Sequence, residues 1–446
     1  MAGDTNVRLH SSALARYAGH VRQSLNFLGH RFRAVKAAKP GSFAELYRTA
    51  VADAFNPGRL FIVTGAPHAR AYYPRNFAWF YPDLLDPVTI LDSDDASSRT
   101  ILLARSIELI CKALRQGIHT TTLVPLTKHS IVGVDYFSKP SDSLLGVLAA
   151  IRQLMYADRH HGYDEVFADA SSKGKILLSE YRADLANSIK ILAEKLSPYT
   201  VGDSSCLLCD AAKPYSAVTD ARAEKARFVT NANIWTTFSW ALELDIISRQ
   251  EIEEILGRTL SEYKSELLKV FAPDGYIQHS LVAKSIQPSK RISIDFVHVY
   301  KGFWDFRNEH ERKIFAETAR IVLEDKRFKT KNEGLYLVSL LNPESSIVHL
   351  FTAPSYQGKA AWPAFNVEFA DRLLDLSTYG GHYEEEAARI LCGIRSIIER
   401  HGGYPEVISN EDLPYRTWAY QSAFAHSWFP RFVSVWHKAF GENVSA

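Results

Sequence analysis

Apolar residues recur at spacings of three and four along most of the chain, and this helical period constrains the fold more than any other sequence feature. Polar residues that can cap the free amides of a helix stand just before several apolar runs. They are Ser97 and Ser98, Ser141 with Asp142, and Ser248. The pattern predicts an all-α protein. The predicted helices cover residues 10–35, 43–54, 97–118, 142–157, 175–196, 231–246, 250–270, 309–326, 361–376, 384–400 and 418–438.

No linker rich in Pro, Gly or Ser and no low-complexity run divides the 446 residues. We therefore expect one domain over residues 1–446, with an N-terminal helical segment, residues 1–40, packed on it. The connections between the predicted helices differ in length, and the sequence has no repeat of fixed period. These features are compatible with an irregular bundle or with a closed double ring of helical hairpins. In the closed ring, the loops at one end converge on a pocket.

Charge and composition narrow the possible partners. The chain has 52 Lys and Arg against 50 Asp and Glu, so its net charge of +2 gives no reason to expect nucleic acid. A small neutral ligand fits better. No window is apolar enough to span a membrane, and charged residues interrupt residues 1–32 where a signal peptide needs an apolar run. We expect a cytoplasmic protein without a membrane partner, and its oligomeric state stays open.

The four cysteines are too few for a disulfide framework. Cys206 and Cys209 form a C-x-x-C, for which structural packing is favoured over a redox or metal role because no second pair follows at zinc spacing. No H-x-x-x-H or H-E-x-x-H is present, and the adjacent His160 and His161 are interpreted as surface residues. The sequence therefore predicts neither a metal nor an organic cofactor.

Five separated stretches combine aromatic residues with Arg, amide and carboxylate side chains. Aromatic faces stack on sugar rings and the polar groups bind hydroxyls, although sealing of helix ends or N-capping, as by Asp142, explains single stretches equally well. The first two stretches are residues 72–80 and 133–142. The others are residues 206–211 with 227–235, residues 355–366, and residues 402–407 with 415–423.

Two carboxylates in these stretches suit acid and base chemistry. Asp210 follows an uncharged apolar run, where burial would favour the protonated form that a general acid needs, although a solvated loop Asp is an equal alternative. Glu406 lies between Pro405 and a β-branched residue after two glycines, which predicts a fixed backbone and a general base. Such a pair among aromatic loops is typical of glycoside hydrolysis.

The order of motifs over roughly residues 70–435 resembles that of the (α/α)6-barrel glycoside hydrolases. This group holds glucoamylases, trehalases, processing α-glucosidases with mannosylglycerate and glucosylglycerate hydrolases, and the glucosidase part of debranching enzymes. Residues 209–211 with 229–235 are similar to W-M-D-A…V-x-x-N-A-L-W, residues 356–363 to Y-H-R-G-T-V-W-P, and residues 403–406 to G-x-x-E. Residues 73–79 are similar to an early Arg-Asp segment, Ser141-Asp142 to a later polar helix start, and residues 417–423 to a W-S-x-A helix.

The resemblance implies an (α/α)6 toroid with a pocket at one end and an inverting, exo-acting hydrolase. Asp210 would be the general acid and Glu406 the general base. The implied substrate is a small α-glucoside or related α-glycoside, such as a disaccharide, a short oligosaccharide or a glycosylated solute. The implied sugar-binding residues are Tyr73, Arg75, Asn76, Trp79, Asp142, Asn233, Trp235, Tyr356, Gln357, Lys359, Trp362, Tyr404 and Trp418. Among them, Lys359 and Arg75 suit an anionic aglycone such as glycerate.

The sequence departs from the pattern at two positions. Asn76 stands where many relatives have Asp, and Cys209 where they often have a larger residue. Asp135, Asp142 and Glu243 stay alternatives to Asp210 as the acid.

Other functions fit the same helical ring. The first is a sugar phosphorylase, in which Arg416 and His401 could bind phosphate. The others are an invertase and a sugar-binding protein without catalysis. A sugar epimerase is disfavoured because no motif stretch contains a histidine pair.

Overall fold

The chain is mainly helical in the computed structural model, which confirms the predicted all-α fold class. The structure describes residues 8–10, 12–32, 40–63, 76–79, 84–118, 122–127, 130–134, 140–194, 196–201, 204–209, 225–278, 280–282, 287–288, 292, 294–298, 301–337, 359–418 and 420–442. Helices in these residues are Ala13–Phe32, Phe43–Ala54, Asn76–Trp79, Ser93–Arg115, Pro140–Met155, Asp164–Glu194, Phe228–Glu243, Arg249–Leu256, Leu260–Phe271, Glu309–Glu324, Pro363–Ser377, Glu384–His401 and Phe429–Phe440.

Local capping explains why several predicted helices have the right bounds. Phe43–Ala54 begins after Ser42, whose hydroxyl accepts the N–H of Glu45 while the Glu45 carboxylate accepts the Ser42 N–H. The same reciprocal capping box joins Ser248 to Glu251, so the predicted cap at Ser248 is confirmed. Such caps depend on residues three apart, and they are therefore visible in the sequence.

Four predicted helix bounds are wrong. The helix predicted to begin at residue 175 begins at Asp164, because polar and small residues in its first turns interrupt the apolar period without ending the helix. Ser97 and Ser98 lie inside Ser93–Arg115, because the side chain of Asp92 accepts the N–H of Asp95 and caps the helix earlier. The predicted helix 250–270 is broken at Gly257, which adopts a φ of 67°. The predicted helix 418–438 begins only at Phe429, and the residues before it form β-bridges and a short 3₁₀ turn, His426–Trp428.

The structure also contains short strands, which the helical period did not predict. Arg8–His10 runs parallel to Ser130–Val134, which pairs antiparallel with Thr122–Thr127. Leu196–Val201 forms a hairpin with Ser204–Cys209, in which Cys206 pairs with Tyr199 and Cys209 with Leu196. A third sheet joins Lys225–Arg227, Ser280–Val282 and Gln287–Pro288. These strands have two to six residues, too few for alternation to stand out against helical spacing.

The chain divides into two compact units. The first contains Met1–Ser188, Arg395–Glu406 and Trp418–Ala446, and the second contains Ile189–Ile394 and Val407–Thr417. The predicted single domain stays a prediction. In the first unit the helix Ala13–Phe32 lies against the sheet of strands Thr122–Thr127 and Ser130–Val134.

A buried guanidinium organises the core of the first unit. Arg99 has no exposed surface, and its Nε and Nη2 atoms donate to the two carboxylate oxygens of Asp95 at 2.8 and 2.7 Å. The other N–H groups donate to the carbonyls of Leu84 and Thr89, at 3.0 and 2.7 Å. The guanidinium also lies 4.6 Å from the centre of the Phe55 ring. Because Arg99 is paired and hydrogen-bonded, its burial is tolerated.

The second unit has an aromatic core. Edge-to-face contacts link Phe228 to Phe303 at 5.7 Å, Phe303 to Trp304 at 5.3 Å, and Trp304 to Phe315 at 5.2 Å between ring centres. Phe228 opens the helix Phe228–Glu243, so this core fixes the start of a helix that carries predicted site residues.

Candidate functional site

Glu406 follows the helix Glu384–His401 on a short extended segment with a fixed backbone. Its N–H donates to the carbonyl of Ala423 at 2.8 Å, and the N–H of Ala425 donates to the carbonyl of Tyr404 at 2.8 Å. These two bonds form a short antiparallel ladder. The carboxylate is therefore held in position before any ligand binds, which is the backbone arrangement that the double glycine predicts.

Two glycines turn the chain from this helix into the ladder. Gly402 ends the helix with a φ of 75°, a conformation that favours glycine, and donates to the carbonyl of Ile398 at 2.9 Å. At Gly403 a β-carbon would lie 2.9 Å from the ring of Phe424, so a side chain does not fit there. Steric contact and hydrogen bonds together thus fix the position of Glu406.

The side chain of Glu406 is half-buried, and its Oε2 atom accepts a hydrogen bond of 2.7 Å from the hydroxyl of Tyr420. The bond orients the carboxylate, and a general base must be oriented toward the group whose proton it takes. Tyr420 lies in the motif of residues 417–423, but it is not among the predicted sugar-binding residues. No local signal could reveal this bond, because it joins residues fourteen apart and Tyr420 lies in a segment predicted as helix.

The two aromatic residues predicted to stack on sugar in this part of the chain have opposite environments. Tyr404 is 1% exposed, and its ring packs against Phe429 at 5.6 Å and Phe432 at 6.3 Å. These are the contacts of a core residue. Trp418 is 68% exposed, so most of its surface is accessible to solvent.

A contact between His426 and Asp53 anchors the segment, residues 423–425, that faces Glu406. The Nδ1 atom of His426 lies 2.8 Å from Oδ2 of Asp53, and Arg59 pairs with the other carboxylate oxygen at 2.5 Å. The hydrogen bond from His426, with the nearby positive charge of Arg59, holds the pKa of Asp53 below its ordinary value. The His426 ring stacks on Phe424, with the planes 4° apart. Through these contacts, His426 fixes the end of the segment that contains Ala423, whose carbonyl accepts the Glu406 N–H.

In the second unit, the helix Phe228–Glu243 buries polar residues near its start. Thr230, Asn231 and Asn233 are each less than 5% exposed. Neither the Oδ1 nor the Nδ2 atom of Asn233 has a hydrogen-bond partner among the described residues. An unpaired buried amide costs stability, so its presence indicates a partner that is a ligand or a further part of the chain.

Trp235 on the same helix is held by protein contacts. Its indole N–H donates to the carbonyl of Leu260 at 2.9 Å, and its ring makes an edge contact with Phe303. The Nζ atom of Lys264 lies 5.2 Å from the ring centre and pairs with Glu311 at 2.8 Å. One face of Trp235 is therefore used by a half-buried lysine, which limits the stacking surface available to a sugar.

Backbone hydrogen bonds hold residues 359–366, the described part of the predicted stretch 355–366. Ala361 exchanges both backbone hydrogen bonds with Ile408, at 3.0 and 2.9 Å. Trp362 is 8% exposed and stacks on Phe365 with ring centres 5.2 Å apart, whereas Lys359 is exposed. Lys359 is thus free to approach an anionic group, and Trp362 offers little ring surface in this structure.

Several predicted site residues fall outside the described residues. Those residues are Asp210, Tyr73, Arg75, Asp135, Tyr356 and Gln357. Asn76 is 3% exposed at the start of the helix Asn76–Trp79. For Trp79 and Asp142 the structure gives only a helix position, and Asp142 lies in the first turn of Pro140–Met155, as predicted. Of the residues kept as alternatives, Glu243 and Arg416 are exposed and His401 is half-buried.

The described residues form neither a metal-binding cluster nor a membrane-spanning helix. No group of three or more His, Cys, Asp or Glu residues that could hold a metal ion occurs within the described ranges. No helix built from these residues is both long and apolar enough to cross a bilayer. His160 and His161 are exposed, as predicted.

Comparison with known proteins relates the chain to a glycosidase fold. No protein-family model matches the sequence, and no curated protein matches it. A solved structure from Streptococcus pneumoniae, from a family described as widely distributed metal-independent α-mannosidases, matches with a TM-score of 0.51 at 13% identity. The match covers 94% of this chain and 97% of that one, and that structure is a non-productive complex with α-1,6-mannobiose. The chain therefore shares its overall fold with a helical glycosidase.

Proposed function

We propose that this protein is a glycoside hydrolase that acts on a small α-linked sugar, with Glu406 as the general base. The observation that carries the proposal is the position of Glu406, whose backbone is fixed by a hydrogen-bonded ladder and whose carboxylate accepts the Tyr420 hydroxyl at 2.7 Å. This residue stands in the G-x-x-E motif of the family that the sequence resembles, and the fold shared with an α-mannosidase supports glycoside hydrolysis in general.

The proposed mechanism is inverting. Glu406 takes a proton from a water molecule while that water attacks the anomeric carbon, and Asp210 donates a proton to the departing glycosidic oxygen. The bond between the anomeric carbon and that oxygen breaks as the bond to water forms. This geometry needs the two carboxyl groups about 6.5–9.5 Å apart, against about 5–5.5 Å in a retaining enzyme.

The proposed substrate is a disaccharide, short oligosaccharide or glycosylated solute with a terminal α-glucosyl unit, cleaved from its end. The motif order supports glucose. The exposed ammonium of Lys359 supports an anionic aglycone such as glycerate. The remaining predicted subsite residues, including Arg75 and Asn76, keep their proposed roles in binding the terminal sugar.

An α-mannoside is the second candidate substrate. The specific observation in its favour is the shared fold with a protein whose structure holds α-1,6-mannobiose. Glucose and mannose differ only in the configuration of the C2 hydroxyl. A site that binds this hydroxyl through a buried polar group would therefore discriminate strongly between the two sugars.

The test follows the anomer of the released sugar by proton NMR. The substrate panel is trehalose, maltose, sucrose, kojibiose, nigerose, isomaltose, α-1,6-mannobiose, glucosylglycerate and mannosylglycerate, each with and without phosphate. Release of the β-anomer by the wild type, with loss of activity in Glu406→Gln, is the expected result. Cleavage that requires phosphate would indicate a phosphorylase, and binding without cleavage would indicate a sugar-binding protein.

A further inference from the structure

The helix Ala13–Phe32 carries an apolar surface that the rest of the described chain leaves uncovered. Leu14 is 79% exposed, Tyr17 67%, Val21 39% and Leu25 62%. Spacings of three and four residues place them on one side of the helix, over about 16 Å of its length. Nine large apolar side chains are exposed in the described residues, and these four are among them. We call this surface the N-terminal apolar face.

The same helix is attached to the protein by its other side. Gly19 is buried, and Ala15 packs against Val124 and Val132 of the small sheet. The side chain of Arg22 donates to the carbonyl of Leu126. The helix therefore places small residues toward the sheet and large apolar residues toward solvent, which is the reverse of the usual distribution in a globular protein.

The sequence around this face is strongly basic. Residues 5–44 contain no Asp or Glu and seven Lys or Arg, so they carry a formal charge of +7. The whole chain carries +2, and the other residues therefore carry −5 together. Two such helices repel each other, which disfavours direct pairing of this face with the same face of a second copy.

We propose that the N-terminal apolar face binds the surface of an anionic lipid bilayer. A helix that combines exposed Leu and Tyr side chains with basic residues lies in the plane of the membrane interface, with its apolar side among the lipid chains and its cations near the headgroups. The proposal concerns attachment to one surface of a bilayer and needs no spanning segment. It departs from the sequence expectation of no membrane partner, which considered only spanning segments.

Co-sedimentation of the full chain with lipid vesicles tests this proposal. We expect binding to vesicles of phosphatidylcholine with phosphatidylserine, little binding to phosphatidylcholine alone, and weaker binding as salt increases. The double substitution Leu14→Ser with Leu25→Ser should reduce the partition coefficient roughly tenfold or more, because it removes two inserting side chains.

A matched control separates this face from exposed apolar residues in general. Ile176 on the helix Asp164–Glu194 is 62% exposed, as is Leu25, but it lies among residues of both charges. Ile176→Ser should leave binding unchanged, and Leu25→Ser alone should reduce it. Circular dichroism of each variant checks that the fold is intact.

Three outcomes would overturn the proposal. They are no binding to anionic vesicles, equal binding to neutral vesicles without salt dependence, and a wild-type dimer that the double substitution converts to a monomer. The last would indicate that a second copy covers the face through a more acidic surface. None of these readouts depends on sugar hydrolysis, so the test is independent of the proposed function.

Discussion

The hydroxyl of Tyr420 donates a hydrogen bond of 2.7 Å to one carboxylate oxygen of Glu406, across fourteen residues of chain. The bond restricts rotation of the carboxylate. Together with the backbone bond from Glu406 to Ala423, it orients the group before a substrate binds. Orientation of this kind is what a general base needs to activate a water molecule.

Tyr420→Phe should lower kcat/KM roughly 10- to 100-fold, because a hydrogen bond to a charged group contributes about 1.5–3 kcal/mol. KM should change less than kcat, since Tyr420 acts through Glu406. Steady-state kinetics on the substrate found in the panel measures both. The control is Tyr379→Phe, which alters a 45% exposed tyrosine. Equal kinetics for Tyr420→Phe and the wild type would exclude the positioning role.

Asn233→Leu should separate stability from activity. The Asn233 amide is buried without a partner among the described residues, so an apolar residue of similar size should leave the free energy of unfolding unchanged or raise it. If the amide binds a sugar hydroxyl, the same substitution should raise KM. Urea unfolding and steady-state kinetics measure the two effects.

Asn366→Leu is the matched control for this prediction. The amide of Asn366 is fully buried. It accepts a hydrogen bond from the Tyr336 N–H at 2.7 Å and donates to the carbonyls of Tyr336 and Trp362 at 3.0 Å each. Loss of these bonds should lower the stability by about 2–4 kcal/mol. Equal loss of stability in both variants would show that Asn233 has structural partners instead.

The pair of Asp53 and His426 predicts a pH-dependent contribution to stability. The hydrogen bond from His426 lowers the pKa of Asp53 from its ordinary value of 3.8. The ionised carboxylate therefore stabilises the fold above this pH, and the contribution is lost as the pH falls through the lower folded-state value. His426→Ala should destabilise the protein by about 1 kcal/mol at neutral pH. Urea unfolding across pH should show the difference narrowing below pH 3.8.

Arg99→Met should be severely destabilising, by about 3–5 kcal/mol, because it leaves Asp95 buried without its ion-pair partner. The side chains of Arg99 and Asp95 are 0% and 7% exposed. The exposed pair Lys112 and Glu108, also four residues apart, is the control. Lys112→Met should change stability by less than about 0.5 kcal/mol. Thermal and urea unfolding decide whether burial causes the difference.

The sequence by itself determined the fold class and many helix bounds. Capping boxes such as Ser42 with Glu45, and the double glycine before Glu406, act between neighbouring residues, so their effect is readable without a structure. The helix predicted from residue 418 is wrong because β-bridges override local periodicity there. The short strands were not predicted because two to six residues are too few to show an alternating pattern.

Only the tertiary structure decided which side chains meet. It paired Tyr420 with Glu406 and Asp53 with His426, the latter across 373 residues. It also buried Tyr404 among core aromatics while exposing Trp418, although both occur in motifs of similar composition. Composition and spacing describe what a residue can do chemically. Its neighbours and its exposure depend on how distant segments pack, and no local sequence pattern contains that information.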